Sequence, residues 1–285
     1  MKKIIVPCDF SKPAVNAFRF ALDIAEQSRG KVYLLHVIEL PVMYDSVLMP
    51  SLYFENDLYK ELKENAEKQF KKLLAKYPAE VAKVNTEVTF GPIYTLIINC
   101  AKEKEADLIV MGTQGANGLK EIFIGSNAEK IVRTSPVPVI VLKNNFKGPI
   151  NNIVFPNVLE QEGQEDLVLK VKALQNFYKA HLNIVWINTP LNFSNDKVTR
   201  AKLEAFAKRF MLKNYSLHIY NYTDGEEGIL HFANEINADM IAIGTHGRRG
   251  LNHLLKGSLT ENLVNHSNYM IWTSVMKDDN EHNDA

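Results

Sequence analysis

The residues best placed to do chemistry are glycines. Gly112, Gly115, Gly125 and Ser126 stand in the spacing G-x2-G-x9-G-[ST], and the same spacing returns at Gly244, Gly247, Gly257 and Ser258. A glycine leaves no Cβ between the backbone and a ligand. Ser126 opens a predicted helix, whose first turn offers unpaired N–H groups and about half a positive charge. Glycines at a strand end followed by a helix N-terminus make an anion site suited to a chain of phosphates. The pattern is neither the Walker loop G-x-x-x-x-G-K-[ST], which the chain lacks, nor the dinucleotide motif G-x-G-x-x-G.

The same residues have a purely structural use. Ser126 and Ser258 each precede a glutamate by three residues, Glu129 and Glu261, so each pair reads as a capping box. The glycines can serve tight turns, although one four-glycine spacing kept in two copies speaks for a ligand. Arg248 and Arg249 follow Gly247, and Lys256 precedes Gly257, either as phosphate-side cations or as solvated charges. His246 lies inside the second glycine cluster. No H-E-x-x-H or G-x-S-x-G occurs, so no zinc-protease helix or nucleophile elbow is indicated. Cys8 and Cys100 are the only cysteines, too few for a disulfide framework or a cysteine-based zinc site.

The elements that must hold these residues also come twice. Shifted by 132 residues, 101–126 matches 233–258 at 12 of 26 positions, including Gly118/Gly250 beside the glycines above. Average composition predicts about one or two such identities. In the first copy, strands are predicted at Lys3–Pro7, Lys31–Ile38, Asn85–Phe90, Asp107–Met111 and Pro138–Leu142. Helices are predicted from Ser11 as N-cap, over Asn56–Lys76, over Ile93–Lys104 and over Ala128–Arg133. The second copy repeats the order. Its strands fall at Ile153–Phe155, Leu182–Ile187, Ser216–Tyr222 and Met240–Ile243, and its helices at Asp166–Ala180, Asp196–Leu212 and Gly228–Glu235. Continuous apolar strands alternating with helices predict an α/β fold with a parallel sheet covered on both faces. Ligands of such sheets sit outside the carboxyl ends of the strands, where both glycine clusters lie. Val42–Phe54 forms an apolar insert that reads as packing, a lid over the first site or a dimer contact.

Length and composition agree. At about 150 residues per domain, 285 residues suggest two domains, placed at 1–145 and 149–277, with 278–285 as a disordered tail. Lys+Arg and Asp+Glu are both 33, which argues against a nucleic-acid binder but not against a small anion site. The apolar run before Pro7 is far shorter than the roughly 7–15 residues of a secretory leader. No run of about 18 apolar residues suggests a membrane span. The expected compartment is the cytoplasm.

On these motifs the chain resembles the universal stress protein family in its tandem two-domain form. The strand Ala106–Gly112 leading into the motif carries the likeness, together with the opening Ile4–Ser11 and the ending Ser135–Val141. It covers Lys2–Val141 and, more loosely, Ile150–Val275. It implies two doubly wound, Rossmann-like domains of the adenine nucleotide alpha hydrolase-like kind, packed as a pseudo-dimer. It also implies binding of ATP, with or without magnesium, or of a related adenine nucleotide. The output would be a stress response signalled through conformation or a protein partner, with hydrolysis slow at most. Homodimers are implied by the family's single-domain members.

Residue by residue, the resemblance assigns Asp9 to the nucleoside, either there or in a structural role at the next helix N-terminus. The backbone of Ile38 is assigned to adenine. Gly112, Gly115, Gly125, Ser126 and Asn127 are assigned to the phosphates, with Pro7 and Met111 at the neighbouring strand ends. In the second copy Gly244, Gly247, Arg248, Gly257 and Ser258 correspond, but Val158 stands opposite Asp9. The first copy thus keeps the acid and the second keeps the cations. A slow nucleotide hydrolase or phosphotransferase, and a nucleotide-free scaffold or apolar-ligand carrier, are the competing readings.

Overall fold

The structure is a computed structural model that describes residues 1–39, 52–80, 83–112, 125–157, 159, 164–246, 263 and 268–276, with only the backbone for 52–56 and 246. The readings on Gly115, Gly118, Val158, Gly247, Arg248, Arg249, Gly250, Lys256, Gly257, Ser258, Glu261, the insert from 42 to 51 and the tail from 278 lie outside these residues.

The strands form where apolar residues run together. The first copy has β1 (Lys3–Pro7), β2 (Lys31–Ile38), β3 (Val84–Phe90), β4 (Leu108–Gly112) and β5 (Val139–Leu142). The second has β6 (Asn152–Pro156), β7 (His181–Asn188), β8 (Tyr215–Asn221), β9 (Met240–His246) and β10 (Met270–Met276). Between them run α1 (Lys12–Ser28), α2 (Leu52–Leu74), α3 (Ile93–Glu103), α4 (Ser126–Thr134), α5 (Glu165–Tyr178), α6 (Asp196–Arg209) and α7 (Gly225–Glu235). Leu52–Phe54, the end of the apolar insert read from sequence, form the first turn of α2. Helix α7 begins upstream of its expected start because Asp224 caps it, accepting from Glu226 and Glu227 N–H at 2.8 and 3.1 Å.

All ten strands form one sheet in the order β3-β2-β1-β4-β5-β10-β9-β6-β7-β8. Every described pairing is parallel except the central one, where β5 runs antiparallel to β10 with Trp272 opposite Ile140. The two copies thus meet edge to edge about a local two-fold, the expected pseudo-dimer in the form of a shared sheet. Both faces are covered. Ile4, Val6, Ile140, Leu142, Phe155 and Trp272 pack under α1, α2, α5 and α6. Their neighbours Ile5, Val139, Val141, Val154 and Ile271 face α3, α4 and α7. The period of two along each strand assigns alternate residues to opposite cores.

Within each copy the chain reverses its winding direction at one place. β1 and β4 are neighbours, yet they pair only at Ile4↔Leu108 and Ile5↔Ile109 before running on to Pro7 and Gly112. β6 and β9 likewise pair only at Ile153↔Met240 and Val154↔Ile241. A crevice outside these carboxyl ends is where such folds take their ligands.

A carboxylate fixes the opposite end of each crevice. Asp107 Oδ2 accepts from Lys2 and Lys3 N–H at 2.6 and 2.9 Å. Asp239 Oδ2 accepts from Asn151 and Asn152 N–H at 2.7 and 2.9 Å. Asp239→Ala is expected to cost about 1–3 kcal/mol by stranding two backbone donors. Asp239→Asn, which keeps an acceptor oxygen, should cost less. Urea denaturation of the two variants checks the order.

Candidate functional site

At the end of β1 the chain turns sharply. Phe10 has φ 64°, a left-handed conformation uncommon for a non-glycine residue. Its ring packs on His36 and Phe70 at centroid distances of 4.8 and 5.0 Å. That turn brings Asp9 back toward α1, where its Oδ1 accepts from Ser11 N–H at 3.0 Å. Ser11 Oγ in turn caps α1 by accepting from Ala14 N–H at 3.4 Å. Asp9 therefore fills the structural role at the helix N-terminus while sitting half-buried at the mouth of the crevice. Pro7 ends the strand beside it.

Ile38 closes β2, where its carbonyl accepts from Gly91 N–H at 3.1 Å. Met111 is 6% exposed and its side chain belongs to the core under α3 and α4. Gly112 ends β4 opposite Leu142. A Cβ built on Gly112 would lie 2.7 Å from Pro13 Cβ and 2.8 Å from the Pro13 carbonyl carbon. This glycine is therefore required by the packing of α1 on β4.

Gly125 is different. A Cβ there would meet nothing within 4 Å, and its φ of −62° and ψ of 143° suit any residue. Nothing in the described chain demands a glycine at this position. Gly125 is the N-cap of α4 and, lacking a side chain, makes no capping hydrogen bond of its own. The expected capping box is thus corrected. Ser126 is already the first helical residue, so its hydroxyl is past the capping position. Glu129 instead faces Arg133, one turn on, at 3.5 Å. Ser126 is exposed and Asn127 half-buried.

The second copy is built differently after β6 and at the end of β9. Asn157, one residue before the expected Val158, supplies the turn-forming oxygen and accepts from Leu159 N–H at 2.6 Å. Its amide donates to Gln164 Oε1 at 2.7 Å, and both side chains are buried. An Asn directly after a strand is a turn signal that pairing Val158 with Asp9 overlooked. A Cβ on Gly244 would sit 2.6 Å from Leu167 Cδ2 and 3.3 Å from the Met276 Cγ and Sδ atoms. Whereas β5 stops opposite Gly112, β10 runs two residues past Gly244, pairing Val275 with Thr245 and Met276 with His246. The end of β9 is thus packed by Leu167 and Met276, where the end of β4 is packed by Pro13.

The two thiols are no nucleophiles. Burial pushes Cys8 up to about 12 and Cys100 up to about 11. The Cys8 carbonyl faces His36 Nδ1 at 2.7 Å. An unfolded thiol loses its proton near pH ~8.5. Between that pH and the folded values the unfolded state binds fewer protons, so stability falls as pH rises. Urea melts at about pH 8 and pH 10 should show this loss, and it should shrink in the Cys8→Ala/Cys100→Ala double variant. Among the described residues no group of three or more His, Cys, Asp or Glu side chains converges as a metal site. No described helix is long and apolar enough to cross a membrane.

Residues 1–143 and 196–273 match the sequence model of the universal stress protein family. A universal stress protein of Methanocaldococcus jannaschii is 34% identical over 146 residues, which make 51% of this chain and 84% of the relative. One from Bacillus subtilis is 31% identical over 145 residues, 50% of this chain and 98% of the relative. Each relative therefore corresponds to about half of the chain. The crystal structure of a universal stress protein from Archaeoglobus fulgidus shares the fold over both copies. Its TM-score is 0.74 at 20% identity, covering 96% of this chain and 98% of that one.

Proposed function

The chain belongs to the universal stress protein family, and on that premise we propose that its first copy binds ATP or a related adenine nucleotide. The observation that carries the reading is the start of α4, where an exposed glycine that no described residue requires stands at the N-cap and offers the first-turn N–H groups no side-chain acceptor. Phosphate oxygens supply the acceptors that such a terminus lacks. Gly125, Ser126 and Asn127 would hold them, with Gly112 and Gly115 lining the approach. Asp9 would accept from a ribose hydroxyl or the adenine amino group, and Ile38 would present its backbone to the base. Bound at the switch point between β1 and β4, the nucleotide would bridge elements that otherwise share two residue pairs. The output is conformational, passed to a protein partner in a cytoplasmic stress response.

The described strand ends of the second copy favour phosphate less. Leu167 and Met276 cover Gly244, and the buried Asn157–Gln164 pair takes the place of the acid. We therefore expect one nucleotide per chain. The test is calorimetry and thermal unfolding with ATP, ADP, AMP and GTP, with and without magnesium. Nucleotide at one hundred times its dissociation constant should add about 2.7 kcal/mol. An adenine-selective shift at a stoichiometry of one supports the proposal, and two equal sites would overturn the assignment to the first copy. No shift on protein shown to be free of co-purified ligand would overturn the function itself. Release of phosphate, lost in Asp9→Ala, would move the reading toward a slow hydrolase.

A further inference from the structure

His181, Asn214 and Ser216 meet where β7 and β8 begin, at the amino ends of these strands and away from the carboxyl ends that take ligands in such folds. His181 Nε2 stands 2.8 Å from Ser216 Oγ, and its Nδ1 stands 3.0 Å from Asn214 Oδ1. The first copy has no counterpart. β2 pairs Val32 with Val84 as β7 pairs Leu182 with Tyr215, so the corresponding residues there are Lys31, Lys83 and Asn85.

The hydrogen bonds fix the role of each atom. Asn214 Nδ2 donates to the Ala180 carbonyl at 2.9 Å, which leaves Oδ1 for the histidine. An amide oxygen only accepts, so His181 carries its proton on Nδ1 and donates it there. Nε2 of the neutral ring is then an acceptor, and Ser216 Oγ–H donates to it. Asn214 is itself held. Its φ is 50°, a left-handed conformation that asparagine adopts more readily than most residues. Its carbonyl accepts from Leu182 N–H at 3.0 Å and from Gln175 Nε2 at 2.9 Å. A hydroxyl bonded to a histidine whose far nitrogen is oriented by a third group is the arrangement that activates a nucleophile, and an amide serves as that third group in papain-like proteases.

The hydroxyl is within reach of a small molecule, since Ser216 and His181 are half-buried and Asn214 is exposed. The second histidine on this face does not compete for it, because His218 Nε2 faces Asn183 Oδ1 at 3.1 Å. β8 is the last strand of the sheet. Asn214 and Tyr222 turn their backbone groups toward β7, and the alternation along a parallel strand turns the Leu217 N–H the other way, off the sheet edge. No described strand takes up this donor, which belongs to the residue after the serine.

We propose that Ser216 is a nucleophile toward small acyl esters, with His181 as its general base and Asn214 as a positioning residue. Oγ attacks the ester carbonyl carbon and gives its proton to His181 Nε2, while Leu217 N–H donates to the oxygen that gains charge. The bond from that carbon to the alcohol oxygen then breaks, and the proton on Nε2 leaves with the alcohol. Water attacks the acyl-serine in turn, passing a proton through Nε2 to Ser216 Oγ as the carboxylic acid departs. An amide behind His181 gives the imidazolium no opposite charge, so the substrates are esters with good leaving groups. The inference is independent of nucleotide binding by the first copy.

The test treats the full chain with p-nitrophenyl acetate and, separately, with a fluorophosphonate, whose serine adduct water does not release. Peptide mass spectrometry locates the adducts. Nitrophenolate release and a fluorophosphonate adduct on Ser216 are expected, both lost in Ser216→Ala. His181→Gln should slow both reactions about a hundredfold, read on protein whose thermal unfolding matches the parent. Asn214→Gly, which suits the left-handed backbone, should lower the maximal rate of nitrophenolate release about tenfold. The half-saturating ester concentration should not move, a split that a purely structural asparagine would not give. A parent chain in which the fluorophosphonate leaves Ser216 unmodified overturns the proposal. So does nitrophenolate release that persists in Ser216→Ala, or a His181→Gln protein that reacts as fast as the parent.

Discussion

Gly112→Ala is expected to destabilise the protein by about 1–3 kcal/mol, the range for forcing a methyl into a filled site, while Gly244→Ala costs less than about 1 kcal/mol. The two glycines occupy corresponding places in the repeat, so sequence alone predicts equal effects. What surrounds them is not equal. The new methyl at Gly112 meets Pro13, including its backbone carbonyl carbon at 2.8 Å, and the Ala14 nitrogen at 3.0 Å. Those atoms belong to the first turn of α1, which cannot retreat without lifting the helix from β4. At Gly244 the obstructing atoms are the Leu167 Cδ2 tip at 2.6 Å and the end of Met276 at 3.3 Å. Both are ends of flexible side chains, and methionine in particular adapts to small changes of space. Equilibrium urea unfolding of both variants decides the matter. Equal losses would mean that α1 yields as readily as a leucine rotamer.

Why some of this was legible in the sequence and some not follows from the range of the interactions. The strands were readable because runs such as Leu108–Met111 and Val139–Leu142 are apolar throughout, which only a sheet covered on both faces explains. The repeat was readable because shared spacing needs no structure to be seen. Strand ends were less so. β9 was expected to stop at Ile243, but it continues to His246 because Val275 and Met276 extend its partner. The antiparallel seam of β5 with β10 joins residues about 130 apart in sequence and leaves no local mark. At the site, the position of the glycines was legible but their separate jobs were not. Gly112 is held by Pro13, 99 residues away, and Gly125 by nothing in the described chain. The capping box failed for a local reason, a shift of one residue in where α4 begins, within the ordinary uncertainty of a helix boundary read from sequence.

Gly125→Val is expected to leave the fold intact and to cut the nucleotide-dependent stabilisation by half or more. The substitution is sterically free within the described chain, since a Cβ there has no neighbour within 4 Å and the backbone lies in the extended region. Its own cost is the exchange of a tolerable N-cap for a poor one, about 0.5–1 kcal/mol. A branched side chain at that point, however, would stand in the space that the proposed phosphates need to reach the first-turn N–H groups of α4. Affinity should fall tenfold or more, at least about 1.4 kcal/mol. At tenfold, about half of the roughly 2.7 kcal/mol gained from ATP at a hundredfold excess over its dissociation constant would then disappear. Ser126→Ala gives the matching control. Because the Ser126 hydroxyl is not the cap of α4, its loss should change apo stability by less than about 0.5 kcal/mol. Thermal unfolding of the three proteins with and without ATP reads all of this. Retention of the full ATP shift in Gly125→Val would remove α4 as the phosphate site. A large apo penalty in Ser126→Ala would restore the capping box and with it a structural reason for the motif. The pair of variants therefore separates the demands of the fold from those of a ligand, at two adjacent residues that the sequence presents as one unit.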